Sequence, residues 1–203
     1  MNNIKTIIFD LGAVLIDWNQ RHLYRKIFKS EEEMEWFLAN VCTGEWNEEQ
    51  DAGRPFEEAV KIQTSLFPKY EAEIEAFWKR WPEMISGPID GTVQIFDTLK
   101  KTNRYKFYAL TNWSAETFPF ALERFEFFKW FDGIVVSGEE KTRKPFPEFY
   151  QCLFSRYNVN PQEAIFIDDS LRNIEAGKKL GLNTIHFQSS EQLKNDLINL
   201  SIL

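Results

Sequence analysis

Residues 4–9 run apolar and isoleucine-rich, then stop at Asp10 and give way to Leu-Gly-Ala. That pattern fits a strand buried on both faces of a parallel sheet. It recurs in "YKFYALTN" (105–112), "GIVVSGEE" (133–140) and "AIFIDDS" (164–170), each of which breaks into polar residues at its C-terminal end. Between these runs, residues 92–101 place Val93, Ile95, Phe96 and Leu99 at helical spacing, and residues 171–180 place Ile174 and Leu180 near one face. The alternation predicts an α/β fold with a Rossmann-like parallel-sheet core and helices on both faces. Ligands of such folds bind outside the carboxyl ends of the strands. All four polar breaks fall on that edge.

Residues 16–88 follow a different rule. "SEEEMEWFLANV", "FEEAVKIQTSLF" and "YEAEIEAFWKRW" are amphipathic helical patterns with no convincing strand, and Ser30 and Glu33 have capping-box spacing. Between them, "TGEWNEEQDAGRPF" reads as turn-rich. Gly87-Pro88 and Asp90-Gly91 punctuate the return to the sheet. The chain is therefore expected to form a core from residues 1–15 and 89–203, with an α-helical cap from 16–88. An insert placed just after the first strand hangs over the polar edge, where it can act as a lid.

Composition narrows the function. A net charge of −7 argues against a nucleic-acid surface, which needs clustered Lys and Arg, so an anionic substrate requires a locally positive pocket. No apolar stretch approaches the ~20 residues of a membrane span. The N-terminal apolar run is interrupted by Asp10 too soon for a signal peptide, so a cytoplasmic address is expected. Cys42 and Cys152 lack metal or disulfide spacing and read as packing thiols. His22 and His186 have no partner spacing and are assigned no role.

Four elements converge on the polar edge: Asp10, Thr111 with Asn112, Lys144 in "TRKPFPEFY", and Asp168-Asp169. Each alone reads equally as a turn, a cap or a solvated loop. Their occurrence together, in order, at strand ends of one sheet points to chemistry. Asp10 is the acid at the end of the first strand, and a carboxylate nucleophile splits phosphoryl transfer into two easier steps.

"IIFDLGAV", "FYALTN", "RKP" and "IFIDDS" resemble, in order, the four motifs of the haloacid dehalogenase (HAD) superfamily, with a helical cap inserted after the first. The resemblance covers nearly the whole chain. "FDLG", "RKP" and "DDSLRNIEAG" most resemble the sugar-phosphate phosphatase group that includes α-D-glucose-1-phosphate phosphatase. It implies a HAD fold and a Mg²⁺-dependent phosphatase acting on a small phosphate ester, a sugar phosphate, through an aspartyl-phosphate on Asp10. Mg²⁺ would be held by Asp10, the backbone carbonyl of Gly12 and Asp169, with Asp168 supporting it through water. Lys144 would neutralise nucleophile and phosphoryl group, and the Thr111 hydroxyl would hold equatorial oxygens. Asn112 would help orient them, and Trp46 would meet a sugar face. Asn173 reads as a cap or an orienting residue. The implied partner is a small phosphorylated metabolite, with no nucleic acid or membrane, and the protein would be a monomer or homodimer.

The resemblance also exposes a gap. Phosphatases of the superfamily carry a second Asp two residues after the nucleophile, which protonates the leaving oxygen and then activates water; this chain has Gly12. Glycine keeps the carbonyl and loses acid–base help worth ~10²- to 10⁴-fold, roughly 3 to 5 kcal/mol of barrier. Activity is then expected to favour acidic leaving groups such as an anomeric hydroxyl. Asp17, Glu45 and Asp51 are the acids near enough in sequence to stand in, although Asp17 also reads as a helix cap and the other two as solvated. Two rival functions remain. A metal-independent dehalogenase would need no proton for its halide, but Asp168-Asp169 would repel its nucleophile. A non-catalytic phosphate-binding module would explain Gly12 as lost chemistry.

Overall fold

The computed structural model describes residues 3–203. Strand β1 (Thr6–Phe9) is buried throughout. The chain leaves it through β2 (Ile16–Trp18) into helices α1 (Gln20–Tyr24), α2 (Glu31–Asn40), α3 (Gly44–Asp51), α4 (Phe56–Leu66) and α5 (Glu71–Lys79), and returns through β3 (Ile85–Pro88). Helix α6 (Asp90–Lys101) leads to β4 (Lys106–Thr111), α7 (Phe118–Arg124), β5 (Gly133–Val136) and the short α8 (Ser137–Glu140). Then come α9 (Pro147–Tyr157), β6 (Ala164–Asp168), α10 (Leu171–Lys179), β7 (Asn183–His186) and α11 (Ser190–Asn199).

The expected parallel sheet is present, in the order β5-β4-β1-β6-β7 with every pairing parallel. Alternate side chains along a strand point to opposite faces, and the two faces bury different helices. Ile7 and Phe9 of β1 pack in one cluster with Phe96 of α6 and Leu193 and Leu197 of α11. Ile8 packs on the other side with Phe149 and Leu153 of α9 and Ile174 of α10. The first cluster continues into the insert through Tyr24, Phe37, Phe56, Phe77 and Trp81, so apolar burial joins insert and core.

Several sequence expectations need correction. The insert does contain strands: β2 and β3 pair antiparallel and form both connections to the core. They are short and stabilised by each other across about seventy residues of chain, so no local period announces them. The segment read as turn-rich contains α3, capped by Thr43, whose hydroxyl accepts from the Trp46 N–H at 3.0 Å. Trp46 is the one large apolar residue of that helix, so its periodicity was unreadable. "GIVVSGEE" behaves as expected, a strand to Val136 that breaks at its polar end, where Ser137 opens α8. Strand β7 has one apolar residue in four, Ile185, so no apolar run announces it. As expected, Ser30 caps α2 by accepting from the Glu33 N–H. Among the described residues, no helix is long and apolar enough to cross a membrane.

Gly138 lets α8 dock on the loop leaving β4, and its N–H donates to the Trp113 carbonyl at 3.0 Å. A Cβ there would lie 2.4 Å from the Ala115 nitrogen and 2.9 Å from the Trp113 oxygen. Gly138→Ala should therefore lower stability by about 1–3 kcal/mol, the usual cost of overpacking, measured by urea unfolding.

Candidate active site

Strands β4, β1 and β6 lie side by side, so Thr111, Asp10 and Asp168 emerge at adjacent strand ends. The structure brings Lys144 to the same place. Its side chain is fully buried, with Nζ 2.9 Å from Asp10 Oδ1 and 2.7 Å from Asp168 Oδ2. Burial works against the ammonium, but Asp10 and Asp168 outweigh it and hold the lysine pKa above its ordinary value. Asn112 fixes the backbone of Lys144 by a pair of hydrogen bonds. Its Oδ1 accepts from the Lys144 N–H at 2.8 Å, and its Nδ2 donates to the Lys144 carbonyl at 3.0 Å. The Asn112 amide is thereby engaged in positioning Lys144, a task the sequence did not suggest.

Asp168 is held just as firmly. Its Oδ1 accepts from the Ser170 N–H at 2.8 Å, and the Asn173 amide donates to both carboxylate oxygens at 3.0 and 3.2 Å. Tyr150 in turn donates to the Asn173 carbonyl at 2.8 Å. Asp10 accepts from the Leu11 N–H and from Lys144, both on Oδ1, which leaves Oδ2 free of those two donors. Burial pushes the Asp10 carboxyl up to about 8; Lys144 opposes the rise while Asp168 and Asp169 add to it. Burial and then Asp168 raise the Asp169 carboxyl as well. The Asp169 carbonyl meets His186 Nε2 at 2.9 Å, a contact for which the sequence held no spacing signal.

Oxygens of Asp10, Asp168 and Asp169 lie within 4.8 Å of one another. Three carboxylates against one ammonium leave a local excess of negative charge, and the donors are hard oxygens. That set fits a magnesium ion, which is bound through one or two carboxylates plus water and substrate oxygens. Asp10 and Asp169 are the better placed ligands because the Asp168 oxygens are already occupied. Thr111 is 1% exposed and its hydroxyl has no hydrogen-bond partner. A buried hydroxyl left unsatisfied costs free energy, and a substrate oxygen would supply the partner.

A cavity of about 60 Å³ adjoins this cluster, lined by Gly12, Asn112 and Trp113 from the core and by Trp18, Trp81, Asn47 and Asp51 from the insert and its connections. Its volume matches roughly two waters at about 30 Å³ each. Gly12 faces open space, with no atom within 4 Å of where a Cβ would lie. Ala13 follows in the left-handed region at φ +57°, a conformation that costs a residue with a Cβ about 1–2 kcal/mol.

Trp46 is not where the sequence suggested: it packs edge-on against Phe77, 4.9 Å between centroids, inside the insert. Trp18, Trp81 and Trp113 line the cavity instead. With seven Trp in the chain, nothing local separates those facing the cavity from those in the core. Asp17 pairs with His22 at 3.0 Å, and Glu45 is exposed. Asn47 and Asp51, four apart on α3, reach the cavity together, and Asn47 Nδ2 donates to Asp51 Oδ2 at 3.0 Å. That spacing was a usable signal, hidden by reading the segment as a loop. Between them, Glu48 pairs with Arg143 at 2.8 Å and with Arg172, joining α3 to the loop before α9 and to the first turn of α10.

Lys144→Met removes the countercharge of two buried carboxylates. The metal-free protein should lose about 3–5 kcal/mol near neutral pH, as when one partner of a buried pair is removed. The loss should shrink as pH falls, because protonated carboxyls need no countercharge; urea unfolding across pH measures both.

The family model for haloacid dehalogenase-like hydrolases matches residues 7–187. A sesquiterpene phosphatase of Aspergillus oryzae is 27% identical over 92% of this chain and 91% of its own. A phosphorylated carbohydrates phosphatase of Thermotoga maritima is 26% identical over 90% of this chain and 84% of its own. Among solved structures, a HAD-family enzyme from Bacteroides thetaiotaomicron in complex with magnesium and inorganic phosphate matches with a TM-score of 0.66 and 25% identity, covering 92% of this chain and 95% of that one. A parallel sheet with buried Lys144 between acids at its central strand ends, together with a match over most of the sequence, places the chain in the haloacid dehalogenase-like hydrolase family.

Proposed function

We propose that the protein is a Mg²⁺-dependent phosphatase for a small phosphate ester, a sugar phosphate, acting through an aspartyl-phosphate on Asp10. The observation that carries this reading is the cluster of Asp10, Asp168 and Asp169 around a fully buried Lys144. A bound Mg²⁺ would offset the excess carboxylate charge and draw electron density from the phosphoryl oxygens. Asp10 Oδ2 attacks phosphorus, and Lys144 holds Oδ1 so that the attacking oxygen stays oriented. The unpartnered Thr111 hydroxyl donates to a phosphoryl oxygen. Water then releases phosphate from Asp10. Asn112, Asn173 and Tyr150 fix these groups before substrate arrives, so little reorganisation is needed in the transition state.

The lining of the cavity supports a sugar phosphate, because it combines three indoles, which can cover a sugar face, with the polar side chains of Asn47, Asn112 and Asp51, which can meet hydroxyls. The indole N–H of Trp18 has no partner and can donate to a hydroxyl. The Thermotoga relative's name points the same way. The dehalogenase reading fits less well, because a metal-free enzyme would hold three acids beside one lysine without compensation. In the same proposal, residues 16–88 are the cap, the β2–β3 ribbon is its hinge, and the enzyme is cytoplasmic and monomeric or homodimeric.

Chelation of Mg²⁺ by EDTA should abolish turnover on a panel of sugar phosphates, and added Mg²⁺ should restore it. Asp10→Asn should lower kcat by at least about 10³-fold, as loss of a nucleophile does. Turnover that is indifferent to EDTA would favour a dehalogenase. Beryllofluoride binding at Asp10 without turnover on any phosphate ester would favour the binding module.

A further inference from the structure

Gly12 leaves the cavity without an acid where phosphatases of this family place one. An acid of the insert lines the same cavity. We infer that the Asp51 carboxylate, carried to the cavity by helix α3, performs the acid–base work that Gly12 cannot. This rests on the phosphatase reading above.

Three observations on Asp51 support the role. It lines the same cavity as Gly12 and Asn112, whereas Asp17 is paired with His22 and Glu45 is exposed. It is held in place: Asn47 Nδ2 donates to its Oδ2 at 3.0 Å, and the Ser137 hydroxyl donates to its carbonyl. It is also tuned. Burial first, and then Glu48 on its own helix, raise the carboxyl, while Arg143, the Ser114 N–H and Lys144 pull it down, leaving it at about 7. An acid–base group works best with a pKa near the operating pH.

The proton balance closes over one turnover. As the Asp10–phosphorus bond forms and the ester bond breaks, protonated Asp51 gives its proton to the leaving oxygen. Asp51 then takes a proton from the water that attacks the aspartyl-phosphate, releasing phosphate and regenerating the acid. Because Asp51 sits on the insert, and Glu48 beside it binds Arg143 and Arg172 of the core, the acid is delivered with α3 seated on the core.

The test uses the full chain with Mg²⁺ and a series of aryl and alkyl phosphates of graded leaving-group acidity. The isosteric Asp51→Asn should slow alkyl phosphates by ~10²- to 10⁴-fold, the usual worth of general acid–base help, and nitrophenyl phosphate by under about 10-fold. In the wild type, kcat/KM for an alkyl phosphate should fall as pH rises through about 7, since the acid must be protonated, and this limb should vanish in the variant. Gly12→Asp in the Asp51→Asn background should restore the alkyl phosphates, since the position has room for a side chain. Beryllofluoride binding at Asp10 should be unchanged in Asp51→Asn. A uniform loss on all leaving groups, an unchanged slope, or lost beryllofluoride binding would overturn the assignment to Asp51 while leaving the phosphatase reading in place. A wild type that turns over no phosphate ester would overturn both.

Discussion

Everything at the site depends on one fully buried ammonium. Lys144 is cut off from solvent and retains its proton because Asp10 and Asp168 lie within 2.9 Å of Nζ. Taking such a charge out of water costs several kcal/mol unless partners surround it. The surroundings are built accordingly: Asn112 grips the lysine backbone, Asn173 grips Asp168, and Tyr150 grips Asn173. The result is a rigid polar unit set into an apolar sheet edge. Its leftover negative charge creates the demand for a divalent cation.

The insert does more than cover this unit. Helix α3 supplies Asn47, Glu48 and Asp51 in adjacent turns, and these reach the cavity wall, the core arginines and the cavity again. Ser137 contributes to both sides, accepting from the Trp113 N–H and donating to the Asp51 carbonyl. Packing of the insert on the core and assembly of the cavity therefore use the same atoms. Any opening about the β2–β3 ribbon would withdraw Asp51, Asn47 and Trp81 from the site together.

The sheet was legible in the sequence because parallel strands buried on both faces need unbroken apolar runs, and such runs ending in acids or Thr-Asn are rare enough to be noticed in series. Residues 6–9, 106–111 and 164–168 carry that signal directly. Strands β2 and β3 do not, because their stability comes from each other. Helix α3 is almost wholly polar, and its cap at Thr43 was a weaker cue than its Gly and charged residues. The acids of the cluster were visible as motif residues, while the tasks of Asn112, Trp18 and Asp51 depend on which way each side chain faces.

By itself, the sequence placed Asp10, Thr111 and Asp168-Asp169 on one edge, because each follows an apolar run that must end at the carboxyl edge of a parallel sheet, and Lys144 joined them through its resemblance to a family motif. It also determined that an acid is missing at Gly12. Only the tertiary structure decided that Lys144 is sealed between two carboxylates, that Trp46 belongs to the insert's interior, and that Asp51 faces Gly12's cavity. Those outcomes turn on contacts between segments far apart in the chain, and on the orientation of an insert whose polar helix carries no period to read.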